Sequence, residues 1–84
     1  MHLKFKLESD EYDDVILEVT VDEQFEIVSK SCSDSAVSDA LNNPKGGLPW
    51  LVTYVHEECS GVAGSDHVLL TVGENDVEFK ITRI

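Results

Sequence analysis

The sequence predicts an α+β fold, in which an antiparallel sheet of about five strands carries one or two helices packed on one face. Three observations lead to this prediction. Apolar and polar residues alternate in stretches near both ends of the chain, apolar residues in the middle recur at helical spacing, and Gly, Asn and Asp separate the alternating stretches. The predicted order is β-β-β-α-(α)-β-β, within one small acidic domain that covers residues 1–84.

The first two strands are predicted from strict alternation over residues 2–8 and 15–21, joined by a polar loop. One face of each strand is therefore apolar and faces the core. The inward residues are Leu3, Phe5, Leu7, Val15, Leu17, Val19 and Val21. Lys4 and Lys6 lie on the other face of the first strand, where we expect one of them to pair with Glu18.

A third strand is predicted over residues 24–30, with Phe25 and Ile27 facing inward. A helix that begins at Asp22 is the alternative, because the apolar residues of this stretch also fit a period of 3.6 residues. The adjacent β-branched residues Ile27 and Val28 favour the strand.

The first helix is predicted to follow Ser33, which suits the N-cap position because its hydroxyl can accept a backbone hydrogen bond. We expect this helix to end near Asn42 or Asn43, since Pro44 disfavours helical backbone in the residue before it.

A second helix is predicted over residues 48–59, with Pro49 in its first turn and Gly61 as its C-terminal cap. A strand is the alternative here, because residues 52–55 have high β-propensity. The face that the helices turn to the sheet is predicted to contain Val37, Leu41, Leu51, Val52 and Val55.

The last two strands are predicted over residues 67–72 and 77–84. Both show period-two alternation, and the segment between them contains Gly73 and Asn75, which suit a tight turn. The chain therefore ends in a β-hairpin.

The acidic residues are unevenly distributed, and the formal net charge is −11. Such a charge makes nucleic acid and anionic membrane unfavourable partners, because both would be repelled. Nine of the 17 acidic residues lie between Leu7 and Ser29, a stretch without Lys or Arg. These are Glu8, Asp10, Glu11, Asp13, Asp14, Glu18, Asp22, Glu23 and Glu26. The run predicts a surface that binds a basic partner protein; the alternative is that the acids only maintain solubility.

In size and charge the chain resembles small acidic phage inhibitors of restriction or CRISPR nucleases, and immunity proteins that block toxins. The resemblance is one of composition, and it implies a non-enzymatic inhibitor whose carboxylates imitate nucleic-acid phosphates. The alternative function is an assembly module that uses a sheet edge or an aromatic patch of Trp50 and Tyr54, which lie beside the apolar stripe of the second helix. We expect a monomer or a weak homodimer.

No catalytic residue, cofactor or metal is predicted. His56, Cys59 and His67 lack the paired spacing of zinc ligands, and the acidic loop at residues 10–14 lacks the central Gly of an EF-hand. The N-terminus does not have the apolar run of a signal peptide, so we expect a cytoplasmic protein in which Cys32 and Cys59 remain free thiols.

Overall fold

A computed structural model describes residues 1–62 and 66–84, and it confirms the predicted α+β fold. Within these residues two helices, α1 (Ser35–Leu41) and α2 (Gly47–Ser60), stand between the third and fourth of five strands. The strands are β1 (His2–Glu8), β2 (Val15–Val21), β3 (Ile27–Cys32), β4 (His67–Val72) and β5 (Asn75–Arg83). Every neighbouring pair is antiparallel, and the order across the sheet is β3-β2-β1-β5-β4.

Strand β1 occupies the centre of the sheet, so the first strand of the chain lies beside the last strand, β5. It pairs with β2 through Phe5 opposite Leu17, and with β5 through Leu7 opposite Ile81. Paired residues in an antiparallel sheet share a face, so the alternation that predicted each strand places the inward residues of all the strands on the same side. Phe5 and Phe79 are the largest fully buried side chains.

Both helices cover this apolar face. The buried residues of α1 and α2 form one core cluster with the inward residues of the sheet, while the opposite face of the sheet has no buried residue. The helical members of the core are Val37, Ala40, Leu41, Leu51, Tyr54 and Val55. The other side of the sheet is left open to solvent among the described residues.

The N-cap of α1 is Asp34, and the prediction of Ser33 was wrong by one residue. The Asp34 carboxylate accepts hydrogen bonds from the backbone N–H groups of Ala36 and Val37, at 2.9 and 3.1 Å. Ser33 has a different role, because its hydroxyl oxygen accepts the Ile16 N–H at 2.9 Å and extends the pairing of β2 with β3. The helix ends as predicted, with Asn42 as its C-cap.

Helix α2 confirms the helical interpretation of residues 48–59, with Gly61 as a left-handed C-cap at φ 77°. Its inward face differs from the prediction at two positions. Val52 is 49% exposed, whereas Tyr54 is buried beside Leu51 and Val55. Successive helical residues are rotated by about 100°, and the sheet lies on the side of Leu51, so Val52 points away from it.

The third strand is a strand, as preferred, but it begins at Ile27 and not at Gln24. The Asp22 carboxylate accepts the N–H groups of Gln24 and Glu26, at 2.9 and 3.0 Å, and this turns the chain. Phe25 adopts φ 64° within the turn, so it does not face inward from a strand as predicted. The register then shifts between Thr20 and Val21, the sign of a β-bulge.

The final hairpin is tighter than predicted. Val72 pairs with Asn75, so Gly73 and Glu74 form a two-residue turn and β5 begins two residues before Val77. Gly73 has φ 65°, the positive value that the first central residue of a type II′ turn requires.

Gly47 marks a close contact between α1 and α2, and it generates a stability prediction. A Cβ atom at Gly47 would lie 2.2 Å from the Ala40 carbonyl oxygen and 2.9 Å from the Leu41 Cα. We expect Gly47→Ala to lower the free energy of unfolding by about 1–3 kcal/mol, because both clashes are with backbone. Urea denaturation measures the change. Thr53→Ala, on an exposed position of the same helix, is the control; equal stability of the two variants would contradict the packing.

Candidate functional site

The nine acidic residues singled out above do not form one continuous surface. Five lie at the end of β1 and in the loop that follows it, three lie in the β2–β3 turn, and Glu18 lies between them on the open face of the sheet. The two groups are separated by the length of β2, about 20 Å for a strand of this size. The first group is Glu8, Asp10, Glu11, Asp13 and Asp14; the second is Asp22, Glu23 and Glu26.

The fold adds acidic residues to the first group from a distant part of the chain. Glu8 pairs with Lys80, so β5 continues past the end of β1 and runs beside the β1–β2 loop. The Tyr12 and Phe79 rings, whose centroids are 5.6 Å apart, hold the loop against the hairpin. We call the combined surface the acidic end; it extends from the β1–β2 loop along β5 to the hairpin turn, about 20 Å from Glu8 to Glu74. It consists of Glu8, Asp10, Glu11, Asp13, Asp14, Glu74, Asp76 and Glu78.

The loop of the acidic end is internally bonded. The Ser9 hydroxyl oxygen accepts the N–H groups of Glu11 and Tyr12, at 3.2 and 3.0 Å, and the Ser9 N–H donates to the Tyr12 carbonyl at 2.9 Å. Asp14 closes the loop with φ 53°, a conformation that Asp tolerates better than most residues. The exposed carboxylates are therefore carried on a defined backbone.

Few cations neutralise the acidic end. The Lys6 ammonium lies 3.6 Å from a Glu8 oxygen and 3.7 Å from an Asp14 oxygen, and all three side chains are accessible to solvent. Exposed pairs of this kind contribute about 0–1 kcal/mol. Among the described residues, three carboxylates of the loop have no ion-pair partner: Asp10, Glu11 and Asp13.

Glu18 has a different partner from the one predicted. Lys4 lies directly opposite it in register, but the Glu18 carboxylate contacts His2 Nε2 at 3.3 Å. The predicted ion pair of Glu18 with Lys4 or Lys6 is therefore not formed. Lys6 instead pairs with two carboxylates of the acidic end. Glu18 belongs to neither acidic group.

The aromatic pair of α2 is only partly available to a partner. The Trp50 and Tyr54 rings stack with centroids 5.0 Å apart, as their spacing predicted. However, Tyr54 is 7% exposed and its ring packs edge-on against Phe5, so it belongs to the core and not to a surface patch beside the apolar stripe. Burial, and then the negative charge and hydrogen bond of Glu58, raise the pKa of Tyr54 to about 12.

The cysteines are free thiols, as expected, and both lie half-buried at the margin of the core. Burial raises the pKa of the Cys32 thiol, which lowers its nucleophilic thiolate fraction at neutral pH. Within residues 1–62 and 66–84, no three His, Cys, Asp or Glu side chains are grouped to hold a metal ion.

The structure has a groove between β3 and α2 that the sequence patterns did not predict. Its volume is about 490 Å³, and its apolar lining comes from Phe25, Ile27, Leu48 and Val52. Four polar residues complete it: Gln24, Glu26, Lys30 and His56. Phe25 and Val52 were both predicted to face the core, and that error concealed the groove. The Phe25 ring instead contacts His56 edge-on, with the ring centroids 5.8 Å apart.

Comparison with models of protein families, with curated protein sequences and with solved structures gave no match. Among the described residues, neither helix has the length and apolar character required to cross a membrane.

The raised pKa of Tyr54 predicts a loss of stability at high pH. The folded chain keeps the phenol proton up to about pH 12, whereas the unfolded chain releases it near the ordinary value of 10.0. The free energy of unfolding should therefore be unaffected by this group below pH 10 and fall as pH rises toward 12.

Tyr12→Phe provides the measurement, because it leaves Tyr54 as the only tyrosine. We expect tyrosinate absorbance to appear near pH 12, together with any loss of the far-ultraviolet circular dichroism signal. A midpoint near 10 while the chain is still folded would contradict the buried environment.

Proposed function

We propose that the chain is a non-enzymatic binding protein that docks its acidic end on a basic surface of a partner protein. The observation that carries the proposal is the convergence of the β1–β2 loop and the β4–β5 hairpin, which brings eight carboxylates to one end of the sheet. Their residues are separated along the chain, so the fold itself assembles the charge.

The partner surface that fits best is a groove that normally holds nucleic acid. Side chains that alternate along one face of a strand, such as Asp76 and Glu78, are spaced by about 7 Å, and several carboxylates can meet several Arg or Lys side chains at once. In this proposal the chain imitates phosphates, in the manner of an anti-CRISPR, anti-restriction or immunity-type inhibitor. The three acids of the β2–β3 turn, at the opposite end of β2, would add to the long-range field.

Electrostatic attraction also determines the expected kinetics. A net charge of −11 accelerates encounter with a cationic partner, and this acceleration weakens as salt screens the charges. We place the protein in the cytoplasm, since two free thiols suit a reducing compartment.

A second candidate function is an assembly module that binds through a sheet edge, with the acids serving solubility alone. It is favoured by Val28, which is 66% exposed on the edge strand β3. Unpaired strand edges accept added strands in many complexes. The two functions differ in what they require of the acidic end.

Neutralising the loop separates the two functions. The triple variant Asp10→Asn, Glu11→Gln and Asp13→Asn keeps the side-chain shapes and removes three exposed charges that have no ion-pair partner in the part of the chain that the structure describes. We expect it to weaken binding to a basic partner by about tenfold or more, because each lost charge-assisted contact contributes on the order of 1 kcal/mol. Titration against a panel of purified nucleases, at low and high salt and with duplex DNA as competitor, measures this loss.

The matched control removes three charges that lie outside the acidic end, two in the β2–β3 turn and one on α2, through Glu23→Gln, Glu26→Gln and Glu57→Gln. Both triple variants carry −8 in place of −11, so a difference between them reports position and not total charge. Equal weakening would show that only the overall field matters. Binding that neither triple variant nor salt reduces would favour the assembly module.

A further inference from the structure

We propose that the groove between β3 and α2 binds an extended segment of a partner protein, which adds to the sheet as a sixth strand beside β3. One residue of the segment places a carboxylate against Lys30. Two positions along the segment, in the direction of the β2–β3 turn, another residue places an apolar side chain in the groove. This surface is distinct from the acidic end, and the inference does not depend on the docking proposed for that end. It rests on the second candidate function, the binding through a sheet edge, and it names the edge and the segment that would occupy it.

The first support is the free backbone edge of β3, which is the outermost strand on its side of the sheet. The Ser33 N–H donates to the Ile16 carbonyl of the neighbouring chain segment at 2.9 Å. Hydrogen-bonding direction alternates along an antiparallel strand, so Ser31 also bonds toward β2, while Lys30 and Cys32 direct their N–H and C=O groups outward. Within the described residues, no backbone group bonds to these two residues from outside.

The second support is the apolar groove that runs beside this edge. Helix α2 forms its far wall with Leu48 and Val52, and Val52 is 49% exposed although it is a large apolar side chain. Phe25 contributes the near wall from a backbone with φ 64°, a conformation uncommon for a bulky residue. A strand added to β3 would point alternate side chains to this face and cover these surfaces.

The third support is the charge at the groove. Lys30 lies on the groove side of β3 and has no ion-pair partner among residues 1–62 and 66–84, in a chain where acids outnumber bases 17 to 6. A residue paired with Lys30 across the strands would share its face, with Cβ atoms about 5 Å apart. Asp or Glu at that position would form an ion pair with Lys30. The groove also contains Glu26, near the β2–β3 turn, and its charge would repel an acidic residue placed at that end of the groove.

A partner protein is a better occupant than a second copy of this chain. The sequence of β3 contains no acidic residue that could face Lys30 in a symmetric pairing, and two molecules of charge −11 repel one another. The same field disfavours an acidic partner as a whole. The segment therefore carries its carboxylate within a neutral or basic stretch.

Selection from a random twelve-residue peptide display library on the full chain tests the inference. We expect enriched peptides to share an acidic and an apolar residue two positions apart. Synthetic peptides of the enriched sequence should bind Val52→Asp at least about tenfold more weakly, and Lys30→Glu should select a basic residue in place of the acidic one. Leu69→Asp is the control, since Leu69 is 64% exposed on β4 at the far edge of the sheet and gains the same charge.

Strand addition has its own signature in the peptide backbone. For a peptide antiparallel to β3, as all neighbouring strands of this sheet are, N-methylation of the residue that faces Lys30 should abolish binding. Methylation of the next residue should not, because its N–H group points away from β3. The Asp10, Glu11 and Asp13 triple variant should bind the peptide as the parent chain does, which separates this outcome from that of the acidic end. Failure to enrich any peptide, or enriched peptides that bind Val52→Asp as well as Leu69→Asp, would overturn the inference.

Discussion

The pairing of β1 with both β2 and β5 is the interaction on which the rest of the structure depends. It brings the first and last strands of the chain together, and it places Phe5 and Leu7 under the helices. Without the register that sets Glu8 opposite Lys80, the β4–β5 hairpin would not lie beside the β1–β2 loop, and the acidic end would not form. The acidic end is thus a consequence of long-range strand pairing.

The core must hold this arrangement against strong electrostatic repulsion. Eight carboxylates at one end of a small sheet favour expansion of the chain, and the few exposed ion pairs offset little of that cost. Stability comes instead from apolar burial, since the described residues have no buried unpaired polar side-chain atom and their charges are placed outside the core. A surface that concentrates like charges without stabilising the fold is consistent with the binding role that we propose.

The acidic end and the groove differ in the kind of contact that they offer. Carboxylates on an ordered loop attract a cationic surface over a distance and are weakened by salt. The β3 edge and the apolar wall of α2 offer short-range contacts, directed by backbone hydrogen bonds and shape. The two surfaces lie on different parts of the sheet, so a single partner with a basic face and an extended segment could use both.

The sequence by itself determined the class of fold, the order of its elements and most of the core. Period-two alternation identified four strands closely, and even the mixed signals of residues 24–30 and 48–59 were interpreted correctly in type. Local chemistry decided these features: side-chain direction in a strand repeats every second residue, and Pro49 and Gly61 mark the ends of a helix. The sequence also showed that acids are concentrated, because charge can be counted.

Only the tertiary structure decided where those acids meet and which apolar residues remain exposed. The run at residues 8–26 is continuous in sequence, but a strand separates its two halves in space, while Glu74, Asp76 and Glu78 join the first half through the pairing of β5 with β1. Phe25 and Val52 fit an inward pattern locally, yet the turn at Asp22 and the rotation of α2 direct them into a groove. Surfaces depend on register and helix orientation, which arise from packing between distant segments and have no signature in local periodicity.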